Sequence, residues 1–273
     1  MIVPARNEEA CLGACLDSLV AQTGVDFEII LVDDQSTDRT REIAASRAGV
    51  QAIEAGALGE GCSGKCNAAQ SGADVARGAW LLFTDADTVH LPGSLERSLR
   101  EAREHQAALL SYSPAQEVHG LIENAVMPVV YAELASTYRP KDVCDPASHV
   151  AAANGQYLLI TRAAYDAVGG HAAVSHTLLE DVALATAVKH SGRKLRFRFG
   201  GDAVRTRMYR TWRDLRDGWT KNLALLFPRT LRLAAIRSIE FLLAAGGIGA
   251  VAAGLATGHY ILLGVGAAVA VPT

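Results

Sequence analysis

Apolar positions along the first two hundred residues follow two rhythms, and the rhythms alternate. Phe27 to Val32 is a nearly continuous apolar run, as a strand covered on both faces requires. Before it, Leu12, Cys15, Leu16, Leu19 and Val20 recur at helical spacing after the polar Asn7-Glu8-Glu9, which predicts an amphipathic helix lying on a sheet. After it the pattern predicts a helix from Thr37 or Asp38 to Ala48, a strand Val50 to Ile53 and a Gly-rich loop Gly56 to Gly64. A helix through Ala68 to Ala76 and a strand Ala79 to Thr84 follow, and Pro92 opens another helix because its fixed φ suits a first turn. Further on come a strand at 107–112, a helix at 121–138, strands Gln156 to Thr161 and Leu195 to Phe199, and helices Arg162 to Val168 and Glu180 to Ser191. Between them Arg139 to His149, with two prolines and few apolar anchors, reads as a mobile loop or one that folds over a ligand. Such alternation predicts an α/β fold with a mostly parallel central sheet.

The carboxyl-terminal pattern is different. From Phe241 to Val271 only Thr257, His259 and Tyr260 carry polar side chains, enough for one tilted membrane span or two short ones broken near Gly258. Just upstream, Arg205 to Arg237 holds eight arginines and Lys221 against Asp214 and Asp217, a local excess of seven positive charges. A buried soluble helix is the competing reading; the charge-free run beside an arginine cluster favours membrane-associated helices with the basic flank inside. No signal peptide is expected, since Met1 leads straight into Ile2-Val3-Pro4 and a charged stretch, so the predicted location is the cell membrane with the part before the apolar tail cytoplasmic.

Composition narrows the class without naming the chemistry. Half of the 273 residues are apolar, a fifth are charged and the net charge is -3, which argues against disorder and against nucleic acid as a partner. The five cysteines are odd in number and read as reduced residues of a cytosolic protein. Cys11/Cys15 and Cys62/Cys66 lack the spacing of a zinc knuckle, and the first pair, one helical turn apart, is explained by core packing.

Candidate chemistry lies at strand ends. Asp33 and Asp34 follow one apolar strand, at the edge where doubly wound sheets bind ligands, and can accept from a nucleobase imide or a ribose hydroxyl, although a turn and helix cap would use the same residues. Asp85 and Asp87 follow another strand as Phe-Thr-Asp-Ala-Asp. Two carboxylates one residue apart suit a hard divalent ion that also holds a diphosphate. Glu180 and Asp181 open a helix, where the helix dipole alone would favour them. A carboxylate there could also take the proton from an acceptor hydroxyl.

The ordered set Val3-Pro4-Ala5-Arg6-Asn7-Glu8-Glu9, Val32-Asp33-Asp34-Gln35-Ser36-Thr37-Asp38, Phe83-Thr84-Asp85-Ala86-Asp87 and Leu179-Glu180-Asp181 resembles the motifs of family 2 glycosyltransferases, which have the GT-A fold. Asn154-Gly155, Arg162 and Gly169-Gly170-His171 resemble the same family's stretch between metal and base motifs, and the match extends to about residue 220. The resemblance implies that Pro4, Arg6 and Glu8 line a nucleotide site, that Asp33 or Asp34 contacts the base, and that Lys65 sits near the nucleotide. It implies that Asp87 binds Mg2+ or Mn2+, that Asp85 contacts the nucleotide sugar or the metal shell, that Glu180 belongs to the substrate site and that Asp181 is the general base. The expected reaction is inverting transfer of a hexose from a nucleotide sugar, a UDP-sugar first, to a lipid or polyprenyl-type acceptor at the cytoplasmic membrane face. Members often have a longer first strand or a leading membrane helix, so Met1 reads as an internal or late start.

In processive relatives the acceptor-side motif is Gln or Arg, two residues, then Arg-Trp. Arg210-Thr-Trp212-Arg213 and Arg213-Asp-Leu-Arg216-Asp-Gly-Trp219 only approximate it, which points to a single transfer. Trp212, Arg213 and Trp219 are then candidates for binding diphosphate or sugar, or for an interfacial helix. The expected division is a nucleotide-sugar-binding half at 1–110, an acceptor-side half at 111–228 and a membrane-associated tail at 229–273.

Two rival readings remain from the residues. Gly59-Glu-Gly-Cys-Ser-Gly64-Lys65-Cys66 is one residue from a P-loop, with Cys66 where a magnesium-binding Ser or Thr belongs, and would make the chain a P-loop-like NTPase. The other rival is a non-catalytic, membrane-associated nucleotide-binding scaffold. His90, His105 and His190 read as surface or helix-end residues, and His176 as a loop histidine four residues before Glu180.

Overall fold

In a computed structural model that describes residues 1–258, apart from Glu60, Arg210, Pro228 and Arg229, the chain runs β1 (Ile2–Ala5), α1 (Leu12–Val20), β2 (Ile29–Asp33), α2 (Thr40–Ala45), β3 (Val50–Glu54), α3 (Gly64–Val75) and β4 (Trp80–Phe83). It continues through β5 (Thr88–His90), α4 (Ser94–Glu104), β6 (Leu109–Ser113), β7 (Ala115–Gln116), α5 (Gly120–Thr137), α6 (Pro140–Cys144), β8 (Leu158–Thr161) and α7 (Arg162–Ala167). Then follow α8 (Gly170–Val174), α9 (Glu180–His190), β9 (Leu195–Phe199), β10 (Val204–Thr206), α10 (Trp212–Leu226) and α11 (Thr230–Thr257).

Seven strands form the main sheet in the order β3-β2-β1-β4-β8-β6-β9, and β5, β10 and β7 form a second, three-stranded sheet. In the main sheet neighbours are parallel except around β8, which runs antiparallel to β4 and β6; in the second, β10 is antiparallel to β5 and parallel to β7. Parallel register, with Ala5 opposite Asp33 and Ile2 opposite Phe83, sets the residues that follow β1, β2 and β4 along one edge. The reversed β8, with Leu158 opposite Phe83, brings its amino-terminal flank to that same edge. Two helix layers cover the sheet because alternate strand residues face opposite ways: Ile2, Ile30 and Val32 pack in one cluster and Val3, Ile29 and Leu31 in the other.

α1 buries Leu12, Cys15, Leu16 and Leu19 of the predicted stripe and leaves its last member, Val20, exposed. On the opposite layer α3 starts at Ser63, whose hydroxyl accepts from the Cys66 backbone N–H, and lies so close to the sheet that a Cβ on Gly72 would be 2.5 Å from Ile2 and 2.9 Å from Val32.

The stretch Arg139 to His149, expected as a loop without regular structure, carries a short helix: Pro140 opens α6, Val143 is fully buried, and Lys189 Nζ donates to the carbonyls of Asp142, Val143 and Val150. Few apolar anchors suffice when a distant ammonium satisfies three backbone oxygens. The second sheet and α8 have no counterpart in the predicted elements; strands of two or three residues are too short to show a period.

The chain divides into two compact units, Met1–Leu215 and Arg216–Thr273. In the second, Leu231–Thr257 is long and apolar enough to cross a membrane, with mean hydropathy 1.8 in its best window, only 6% of which is buried. The rest of the predicted apolar tail, beyond Gly258, lies outside the described residues.

Candidate functional site

The carboxyl ends of β1, β2 and β4 open into a cleft of 430 Å³. Pro4, Arg6, Glu8, Asp34, Lys65, Asp85 and Asp87 line it, so seven of the residues singled out in the sequence meet in one place. Asp34 lies 3.6 Å from Arg6 and against the first residue of α3, where a Cβ on Gly64 would stand 2.3 Å from its carboxylate. Asp33 is used differently. It is buried, pairs with Arg41 at 3.1 Å and accepts from the Ser36 backbone N–H, and it is not in the cleft lining. Of the two predicted base contacts, geometry leaves Asp34 at the cleft and gives Asp33 the task of fixing the turn.

Asp85 and Asp87 stand on a pinned turn. Thr84 Oγ1 donates to the Gln156 carbonyl at 2.8 Å, Gln156 Nε2 donates to Thr206 Oγ1 at 3.2 Å, and Thr206 Oγ1 donates to the Asp87 carbonyl at 3.3 Å. Sequence reading missed this support, because its members are 50 to 119 residues apart and no motif links them. Burial first, then the charges of Asp85 and Glu8, push the Asp87 carboxyl up to about 6. Hard oxygen donors in surplus over nearby cations fit a hard divalent ion. Among the described residues no three acidic, cysteine or histidine groups cluster to hold a metal alone, so such an ion would complete its shell with substrate oxygens and water.

Behind the cleft, and sharing Pro4, Lys65 and Asp85 with it, lies a recess that also holds Gly155, His171, Glu180 and Asp181. Asp181 Oδ2 accepts from the Gly155 backbone N–H at 2.9 Å, and Oδ1 from Val182 N–H at 2.8 Å. These bonds fix the carboxylate. Burial and the neighbouring Glu180 push it up to about 6, against Lys65 and the two backbone donors. Lys65 joins the two compartments, 2.9 Å from Asp85 and 3.1 Å from Glu180. Burial opposes its charge, but Asp85 and Glu180 outweigh that and raise its pKa, so it stays an ammonium.

The near-P-loop does not act as one in this arrangement: Lys65 points to carboxylates, and Ser63 caps α3. Arg162 lies away from the cleft and donates to the carbonyls of Ala73, Ala76 and Gly78, closing the end of α3. Trp212 is 53% exposed and Arg213 is exposed, Trp219 is buried, and the first two are absent from the cleft lining. His90 is not a surface residue, as had been expected, but 3% exposed with Nε2 2.9 Å from Thr84 Oγ1. None of the five cysteines is joined in a disulfide.

The glycosyl transferase family 2 model matches residues 1–159. The PGL/p-HBAD biosynthesis glycosyltransferase of Mycobacterium bovis is 39% identical over 120 residues, 41% of this chain and 44% of the relative. The 4,4'-diaponeurosporenoate glycosyltransferase of Staphylococcus aureus is 28% identical over 230 residues, 82% of this chain and 60% of the relative. The chain thus spans less than two thirds of the length of these curated relatives. The mannosyltransferase PcManGT from Pyrobaculum calidifontis, solved with GDP-Man and Mn2+, shares the fold with TM-score 0.56 and 19% identity, over 72% of this chain and 53% of that one.

Proposed function

The chain belongs to glycosyl transferase family 2, with a GT-A-like α/β fold, and from that membership we propose that it transfers a hexose from a UDP-sugar to a lipid-like acceptor with inversion at the anomeric carbon. The observation that carries the proposal is the single ammonium of Lys65 spanning Asp85 at the nucleotide cleft and Glu180 beside Asp181, which sets donor and base within one side chain's reach.

Asp34 accepts from the imide N–H of the uracil, and Arg6 and Lys65 offset charge on the diphosphate. Asp87 and Asp85 hold Mg2+ or Mn2+, which when bound neutralises charge on the departing diphosphate. Asp181, already fixed by Gly155 and Val182, takes the proton from the acceptor hydroxyl as its oxygen attacks the anomeric carbon. The bond from that carbon to the diphosphate oxygen breaks in the same displacement, and its electrons leave with the nucleoside diphosphate. Glu180, tied to Lys65, adds a second carboxylate for sugar hydroxyls.

In this proposal residues 1–110 bind the donor, 111–228 face the acceptor and 229–273 associate with the membrane, the catalytic part lying on the cytoplasmic side. Relatives named for lipid-related substrates, the exposed apolar α11 and the basic stretch before it support a lipid-like acceptor met at a membrane. Trp212 and Arg213, both exposed, are available to an acceptor headgroup or the interface; Trp219, being buried, is less so.

The test is to incubate membranes carrying the protein with a panel of labelled UDP- and GDP-sugars plus Mn2+ and to extract the lipid. Label entering lipid from one donor is the expected result. No transfer from any donor, with UDP bound normally, would leave a nucleotide-binding scaffold instead.

A further inference from the structure

His171 is 5% exposed, yet it lines the recess that holds Glu180 and Asp181. Its ring stands edge-on to Phe83, centroids 4.5 Å apart, and Nδ1 lies 2.9 Å from the Tyr165 hydroxyl. The surrounding bonds decide which atom carries the proton there. Gln70 Nε2 donates to Asp74 at 2.8 Å, which leaves Gln70 Oε1 as an acceptor, and the Ala172 backbone N–H reaches that oxygen at 3.1 Å. The Tyr165 hydroxyl, 3.0 Å from the same oxygen, must direct its one proton to it. The His171 backbone N–H donates to Tyr165 from the other side at 3.1 Å. Nδ1 therefore donates to Tyr165 as N–H, and Nε2 of the neutral ring is left as a lone pair. Burial, with Lys65 nearby, keeps the ring neutral by lowering its pKa to about 4.

That lone pair is open. No described residue hydrogen-bonds Nε2, and the sealed, unpartnered side-chain atoms among the described residues are His90 Nδ1, Gln116 Oε1, Gln156 Oε1 and Arg207 Nε. The ring is also held in place. Gly170 has φ +58°, and a Cβ there would stand 2.6 Å from the Tyr165 ring and 2.7 Å from Gln70 Oε1.

What the recess would accept follows from its lining. Asp85, Glu180, Asp181 and Nε2 all accept hydrogen bonds, and the one ammonium, Lys65, is already held between two carboxylates. An anion is repelled; a neutral hydroxyl, donating its proton, is what the lining calls for. The recess, about 20 Å³, has room for one hydroxyl and not for a sugar ring, and because it shares Pro4, Lys65 and Asp85 with the nucleotide cleft, a hydroxyl of the group attached to the donor's diphosphate is the one within reach of it. Resting on the donor reading above, we propose that His171 is a hexose-binding residue whose Nε2 accepts a hydrogen bond from a hydroxyl of the sugar to be transferred.

The experiment compares binding of UDP, UDP-glucose, UDP-galactose, UDP-N-acetylglucosamine and GDP-mannose, each with Mn2+, by titration calorimetry on the full chain. Wild type should bind one nucleotide sugar more tightly than its own nucleoside diphosphate. His171→Phe, which keeps a ring against Phe83, should weaken that nucleotide sugar roughly three- to tenfold while leaving the nucleoside diphosphate within about twofold. His171→Gln, whose Oε1 reaches the Nε2 position, should recover most of the loss. Equal weakening of both ligands would make His171 a merely structural residue and overturn the proposal. So would unchanged nucleotide-sugar binding by His171→Phe. No sugar-dependent gain in wild type would remove the donor reading itself, with UDP binding showing separately whether the cleft is intact.

Discussion

Asp181 is the residue on which the chemistry turns, and its surroundings set opposite demands on it. Two backbone donors hold it for a substrate, while burial and Glu180 push it up to about 6. As a base it works only when ionised, so the transfer rate should fall as pH drops below about 6, and Asp181→Asn should reduce transfer by at least 10²-fold while donor affinity stays nearly unchanged. Normal turnover by Asp181→Asn would reject the assignment. Stability must respond in the other sense. The folded-state pKa lies above the ordinary aspartate value of 3.8, so this group's contribution is fully present below about pH 3.8 and is lost as pH rises through about 6. Asp181→Asn should therefore raise the Tm of the metal-free protein by roughly 1–3 °C at pH 7.5, with no gain at pH 3.5. Asp87 is pushed up by burial, Asp85 and Glu8, an environment an added cation relieves. Asp87→Ala should abolish the extra thermal protection that Mn2+ gives to UDP binding; protection equal to wild type would remove Asp87 from the metal site.

At the scale of elements, the site depends on how closely α3 approaches the sheet. Gly72 has Ile2 and Val32 where a Cβ would be, and Gly64 has the Asp34 carboxylate. Close approach carries Lys65, one residue after Gly64, over the strand ends to reach both Asp85 and Glu180. Gly72→Ala should destabilise the protein by about 1–3 kcal/mol in urea unfolding, because the added methyl meets branched side chains of two central strands. It should also weaken UDP binding through displacement of α3. A stable variant with unchanged UDP affinity would show that α3 has room to spare.

For the molecule as a whole, Met1–Leu215 contains the cleft and the recess, and Arg216–Thr273 contains α11. Ile239, Phe241, Leu242, Ile248 and Leu255 of that helix are exposed, a composition water does not favour on its own. Ile248→Arg, a charge placed well inside the apolar run, should shift the protein from the pellet to the supernatant when liposomes are sedimented. Full retention on liposomes by Ile248→Arg would separate membrane association from α11.

Legible in the sequence alone were the α/β alternation, the strands ending in Asp33-Asp34 and Asp85-Ala-Asp87, the helix opening on Glu180-Asp181 and the apolar tail, because each is a local period or a local turn. Six of the seven cleft residues were named from motifs at strand ends, which parallel register then aligns, and Lys65, at the start of α3, from the family resemblance. Tertiary structure decided the rest. It turned β8 antiparallel so that Gly155 meets Asp181 and Gln156 supports the turn of Asp87. It separated Asp33 from Asp34, anchored the stretch around α6 through Lys189, and set the proton of His171 on the side of Tyr165. Sequence patterns record which residues share a face of one element; which side chains from different elements share a proton or a charge depends on distances that only packing fixes.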